Sequence, residues 1–120
     1  MFHDGKVKQL YLTDDEDKII IRYKDAATAF NNVKKATIVN KGVLNNKISG
    51  IIFKYLRDAG IESHYIETLN DRDQLCRRVE VIPLEVIVRN VVAGSMAKRL
   101  GLKEGTKPSN VIYDICYKQD

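Results

Sequence analysis

The sequence predicts an α+β fold: a mostly antiparallel sheet carrying one long helix on a face, followed by the start of a second unit. Three observations predict it. Val7 through Tyr11 and "KIIIRYK" (18–24) read as two strands joined by the acidic turn "TDDED". From Val43 the period changes to that of a helix. After the helix come three β-rich segments, "SHYIETL" (63–69), "LCRRVEVI" (75–82) and "LEVIVRNVV" (84–92).

Each element has a local reason. The opening pair is a hairpin because alternating residues flank a turn of short acidic side chains. Residues 25–42, including "DAATAFNN", are mixed and polar and read as an irregular crossing. Leu44, Ile48, Ile51, Ile52, Tyr55, Leu56 and Ala59 recur at helical spacing, and Gly60 follows as a C-cap. "NDRD" (70–73) turns the chain between the first two later strands. Pro83 lacks the N–H a continuous central ladder uses, so it marks the junction between two units, 1–82 and 83–120. Ser95 begins a short helix, "SMAKRLG", with its hydroxyl placed to cap the first amides and Gly101 ending it. A last strand, "NVIYDICYK" (110–118), is followed only by polar residues, so the sequence reads as a fragment of a longer protein.

Bulk properties narrow the function. A chain of 120 residues with 44% hydrophobic content can fill one domain core. No apolar run approaches the roughly 18–20 residues that span a membrane, and the N-terminus lacks the apolar centre of a secretory signal. Cys76 and Cys116 are far apart, with no CxxC, which suits a reduced, cytoplasmic protein. The net charge of +4 permits nucleic-acid binding. However, the basic residues are dispersed among acids, and the aromatics form no basic-aromatic stripe, so no nucleic-acid partner is expected.

The familiar phosphate motifs G-x-x-x-x-G-K-[ST] and G-x-G-x-x-G are absent, as are H-E-x-x-H and the EF-hand pattern. His3 and His64 stand alone and read as surface or packing residues. Two constellations remain. In "DGKVKQLY" (4–11), Gly5 lets backbone approach a ligand, and Lys6 and Lys8, two apart on an opening strand, put both ammonium groups on one face. That suits a polyphosphate, although lysines on an edge strand also guard against aggregation. In the second, Arg89 sits in a Val/Ile-rich strand that runs into Gly94 and Ser95. An unpaired guanidinium there is costly, so it reaches water, an acid or an anionic ligand. Glu85 is roughly 13 Å away along an extended strand, too far for easy contact, which leaves Glu80 or more distant acids as protein partners. A helix start with a serine and a nearby arginine suits an anion.

"VIPLEVIVRNVVAGS" (81–95) resembles the signature of the SAICAR synthetase (phosphoribosylaminoimidazole-succinocarboxamide synthase) family. "GKVKQLY", "DAATAFN", "KGVLNNKIS" and "AKRLGLKEGT" agree with that family in order and spacing, so the resemblance covers the whole chain. It implies an ATP-dependent ligase of purine biosynthesis that joins L-aspartate to carboxyaminoimidazole ribonucleotide (CAIR) through an acyl phosphate. It also implies an N-terminal lobe like those of protein kinases and ATP-grasp enzymes. Carried over by position, Gly5, Lys6 and Lys8 would line the ATP phosphates, and Glu80 and Val81 would offer backbone groups to adenine. Arg89 and Ser95 would hold the anionic side of the ribonucleotide. The family continues into a second half with a signature of the type D-x-K-x-E-[FI]-G, where its Mg²⁺-binding acids are expected. No metal ligand or catalytic residue is therefore assigned within 1–120, and the chain alone is expected to be inactive. The expected partners are small molecules, with no membrane, and homo-oligomerisation is left open. A non-catalytic nucleotide-binding module is the alternative reading.

Overall fold

The computed structural model describes residues 1–29 and 33–118. They form two compact units, Met1–Glu80 and Val81–Asp120.

In the first unit, β1 (His3–Asp4), β2 (Lys8–Leu12), β3 (Lys18–Tyr23), β6 (Tyr65–Thr68) and β7 (Asp73–Arg77) build one sheet in the order β1-β2-β3-β7-β6. Every neighbouring pair is antiparallel. The α+β expectation holds. Alternation within β3 sends Ile19, Ile21 and Tyr23 to one face, where they form the core with Cys76 of β7 and the partly buried Leu10 of β2. Arg22 points to the other face and pairs with Asp73, its Nε donating to Oδ1 at 2.8 Å. The second β-rich segment after the helix was expected to run over 75–82, but its ladder ends at Arg77. There the connection turns off to let the Arg78 amide donate to the Asp17 carbonyl at 2.7 Å.

The single long helix, α1 (Lys41–Asp58), lies against β3, β6 and β7. It ends in a Schellman arrangement: the Gly60 amide donates to the Arg57 carbonyl and the Ile61 amide to the Leu56 carbonyl, with Gly60 at φ 83°. The face it turns to the sheet is not the apolar one. Gly42, Asn46 and Gly50 are buried, whereas Leu44, Ile48, Ile51, Ile52 and Tyr55 are all more than half exposed. Gly42 explains the close approach, because a Cβ there would stand 2.5 Å from the Tyr23 carbonyl oxygen.

Where an irregular crossing was expected over 25–42, the described residues carry regular strands. β4 (Ala26–Ala29) and β5 (Lys34–Thr37) form a separate two-stranded antiparallel ladder, with Thr28 opposite Lys35. Alanine and lysine are weak strand formers, which is why the segment carries no strand signal. Tertiary ties close its base. The Ile38 amide donates to the Asp25 carbonyl at 2.9 Å, and Lys41 Nζ donates to the Ala26 carbonyl at 2.8 Å. Phe30 to Asn32, part of the expected crossing, lie outside the described residues.

In the second unit, β8 (Leu84–Arg89) and β9 (Ile112–Tyr117) pair antiparallel, and α2 (Ser95–Leu100) lies between them in sequence. Val92 and Met96 are its buried apolar residues. Leu84, Val86 and Val88 stand opposite Tyr117, Ile115 and Tyr113, and this apolar cross-strand face is exposed. The residue at the N-cap of α2 is Gly94, not Ser95. Ser95 is the first helical residue, and no side chain caps the helix.

Candidate functional site

Two places hold the residues singled out from the sequence, one in each unit. In the first unit the chain turns between β1 and β2 at Gly5 and Lys6. The Gly5 amide donates to the Lys8 carbonyl at 2.8 Å, and a Cβ at Gly5 would stand 3.3 Å from that oxygen, so a small residue suits the turn. Lys24, next after β3, braces it by donating to Asp4 Oδ1 at 2.9 Å and to the Gly5 carbonyl at 3.0 Å. Beside the turn lies a cavity of about 280 Å³, with Gly5, Lys6 and Lys24 on one side and Thr28 and Lys35 of the β4–β5 hairpin on the other.

Lys6 and Lys8 do not share that cavity. The strand begins only at Lys8, so the spacing of two residues does not align the side chains as it would within a strand. Lys8 pairs with Tyr23 in the ladder, and its ammonium lies 5.3 Å from the centre of the Tyr23 ring. Burial, and after it the charge of Lys8, holds His64 below the ordinary histidine range. Burial likewise pushes the Cys76 thiol up to about 11. His64 stacks edge-on against Phe53 of α1, a packing role.

Glu80 closes the first unit and lines a wider cavity of about 620 Å³ with Arg78, Val79 and the β2–β3 turn. No backbone–backbone hydrogen bond to another described residue engages the peptide groups of Glu80 or Val81.

Asp25 organises the neighbourhood of the hairpin. Its carboxylate accepts from Arg72 Nη1 at 2.7 Å, Arg72 Nη2 at 3.0 Å, the Gly42 amide at 2.8 Å and the Asn40 amide at 3.2 Å. It therefore satisfies the Gly42 amide in the first turn of α1, which Asn40, in a left-handed conformation with no capping side chain, leaves open. The Arg72 guanidinium and these amides hold the Asp25 carboxyl well below the usual carboxylate range.

In the second unit Arg89 ends β8. Its Nε is buried and has no hydrogen-bond partner among the described residues, and neither Glu80 nor Glu85 pairs with it. A Cβ at Gly94 would stand 3.9 Å from Arg89 Nη2, so the guanidinium reaches the turn that Ser95 follows. Gly94 adopts φ 59°, ψ −139°, and its amide donates to Glu104 Oε1 at 3.3 Å. The nearby carboxylate of Asp114 is taken by Arg99, whose hydrogen bond lowers its pKa more than the charge of Arg89 does. Among the described residues no group of three His, Cys, Asp or Glu gathers as a metal site. Sequence reasoning passed over Lys24, Asp25, Thr28, Lys35 and Arg72. Only the clustering of lysines at 34–35 after "DAATAF" offered any signal for them.

Both places set basic side chains beside a tight turn within an α+β fold. The chain belongs to the SAICAR synthetase family, whose model matches residues 1–120. It is 62% identical to the phosphoribosylaminoimidazole-succinocarboxamide synthase of Fusobacterium nucleatum over 98% of this chain and 50% of that protein. Against the enzyme of the same name from Clostridium botulinum strain Alaska E43 it is 58% identical over its whole length and 51% of the relative. Among solved structures, the phosphoribosylaminoimidazole-succinocarboxamide synthase of Ehrlichia chaffeensis superposes with a TM-score of 0.93 at 42% identity, covering 98% of this chain and 50% of that one. A SAICAR synthetase in complex with ADP gives 0.92 at 44% identity, with the same coverage. The chain thus spans about half the length of the curated relatives it matches.

Proposed function

We propose that this chain carries the ATP-binding lobe and part of the ribonucleotide site of an ATP-dependent carbon–nitrogen ligase that joins L-aspartate to CAIR, yielding SAICAR, ADP and phosphate. The observation that carries the reading is Arg89. A buried guanidinium nitrogen without a hydrogen-bond partner among the described residues, beside the Gly94–Ser95 turn, is poised for an anionic ligand. The relatives' names supply the reaction, and the ADP bound to one solved relative supports ATP as the phosphoryl donor.

In this reading the domains are residues 1–82, which bind nucleotide, and 83–120, which begin the substrate domain. Lys6 neutralises the ATP phosphates beside Gly5, Lys8 adds positive charge from the start of β2, and the open peptide groups of Glu80 and Val81 pair with adenine. Arg89 and Ser95 hold the phosphate or carboxylate side of the ribonucleotide. A CAIR carboxylate oxygen attacks the γ-phosphorus of ATP and ADP leaves. The aspartate amine then attacks the acyl carbon, the bond from that carbon to the bridging oxygen breaks so that phosphate leaves with this oxygen and the electron pair, and the nitrogen loses its proton. The chain's part in these steps is placement and charge neutralisation. Mg²⁺ would neutralise phosphate charge, but the described acids do not converge as such a site requires, so no ligand is assigned here. We assign the protein to the cytoplasm. Among the described residues no helix is long and apolar enough to cross a membrane.

Two measurements test this. Calorimetric titration should show ATP binding weakened by about 1–3 kcal/mol on replacing Lys6 with Ala, the range for a charge-assisted hydrogen bond, and by less on replacing Lys8. A coupled ADP-release assay with CAIR, aspartate, ATP and Mg²⁺ should show turnover by the Fusobacterium relative and none by this chain alone, and calorimetric titration of CAIR into this chain should show binding that Arg89→Ala abolishes. Unchanged ATP affinity in both lysine variants, or unchanged CAIR affinity in Arg89→Ala, would defeat the assignment. Turnover by this chain near the rate of the relative would defeat its placement as half of the active enzyme.

A further inference from the structure

The β4–β5 hairpin has no role in the reading above, yet it forms one wall of the cavity beside the Gly5–Lys6 turn. We propose that Lys35, with Thr28 opposite it, is a further polyphosphate-binding position, so that the hairpin and the turn form the two walls of one phosphate cradle. This rests on the reading of the first unit as an ATP-binding lobe.

Register is the first argument. Thr28 and Lys35 are direct partners across the β4–β5 ladder, so their side chains project to one face, and both line the cavity. An ammonium beside a hydroxyl is a donor pair suited to phosphate oxygens.

Charge is the second. The cavity gathers Lys6, Lys24 and Lys35 around one carboxylate, Asp4, and that carboxylate is already bonded to Lys24. Lys24 is thus occupied in bracing the turn. Lys35 is exposed and makes no ion pair with any described residue. Clustered like charges favour an anion between them.

Shape and rigidity are the third. Ala26, two residues before Thr28 and on the same ladder face, lines this space without filling it, and Ala27 and Ala36 border it. The hairpin base is anchored through Asp25 and Lys41, so the position of Lys35 is set by the protein rather than by the ligand. The competing explanation, lysines that keep a short exposed ladder from pairing with other chains, requires no response to a ligand.

The experiment titrates ATP and AMP into the wild-type chain and into Lys35→Ala, Thr28→Val and Lys6→Ala, with circular dichroism confirming that each variant is folded. Lys35→Ala should weaken ATP about tenfold and Thr28→Val about threefold, with AMP changed less than about twofold, since the contacts go to phosphates that AMP lacks. If Lys6→Ala weakens ATP while Lys35→Ala and Thr28→Val do not, the hairpin's role is overturned and the ATP reading stands. Equal weakening of ATP and AMP by Lys35→Ala overturns it too. If the chain binds no ATP, or Lys6→Ala and Lys35→Ala both leave ATP binding unchanged, both readings fall.

Discussion

Replacing Gly42 with alanine probes how α1 is seated on the sheet. The added Cβ would lie 2.5 Å from the Tyr23 carbonyl oxygen, 2.7 Å from Arg72 Nη1 and 2.9 Å from the Tyr23 carbonyl carbon. Ordinary contact begins at 3.4 Å, so the first turn of the helix must withdraw by most of an ångström. Two of these obstacles belong to the main chain of β3 and cannot rotate aside. The withdrawal also draws the Gly42 amide away from the Asp25 carboxylate, now 2.8 Å distant. Alanine's helix propensity works in the opposite direction, by about 0.8–1.0 kcal/mol. Overpacking against a fixed neighbour costs about 1–3 kcal/mol, and a backbone obstacle belongs in the upper part of that range. The net expectation is a loss of about 1–2 kcal/mol. Urea unfolding followed by far-ultraviolet ellipticity, to which α1 contributes most of the helical signal, reads this as a lower midpoint at unchanged slope. Gly50→Ala is the companion. There the nearest atom is Thr68 Oγ1 at 2.9 Å, a hydroxyl that can turn away at the expense of its 2.7 Å hydrogen bond with Tyr65. Its change should stay within about 1 kcal/mol. A Gly42→Ala midpoint equal to or above wild type would refute the close-approach argument.

Further expectations concern titration and reactivity. Because the folded state holds the Asp25 carboxyl below its ordinary value of 3.8, its contribution is fully present above that value and is lost as the pH falls below it. The difference in melting temperature between wild type and Asp25→Asn should therefore be largest near neutrality and shrink below about pH 4. A constant difference down to acid would mean the Arg72 and amide contacts are not charge-dependent. For the cysteines, the fully buried Cys76 thiol is pushed up to about 11 and should resist iodoacetamide, while the partly accessible Cys116 reacts first. Mass spectrometry after partial labelling checks the order, and early modification of Cys76 would show that the β3–β7 core opens readily.

Local chemistry made a good part of this protein legible in advance. The β2–β3 hairpin follows from alternation around an acidic turn, and the C-terminus of α1 from Gly60. The family follows from a contiguous signature around Arg89. Tertiary structure decided what periodicity cannot encode. Leu44, Ile48, Ile51, Ile52 and Tyr55 identify α1 as a helix, but the sheet is met by the opposite face, where Gly42 and Gly50 let two backbones approach more closely than side chains would allow. Hydrophobic spacing says which face is apolar and not what lies against it. The β4–β5 hairpin was illegible for a related reason: its alanines and lysines have little strand preference, and it is closed by Asp25, Arg72 and Lys41, contacts that exist only once β3, β7 and α1 are in place. Lys6 and Lys8 show the same limit at smaller scale. Their spacing predicts one shared face, but the strand starts at Lys8, so the turn carries Lys6 to the cavity while the ladder sets Lys8 over Tyr23.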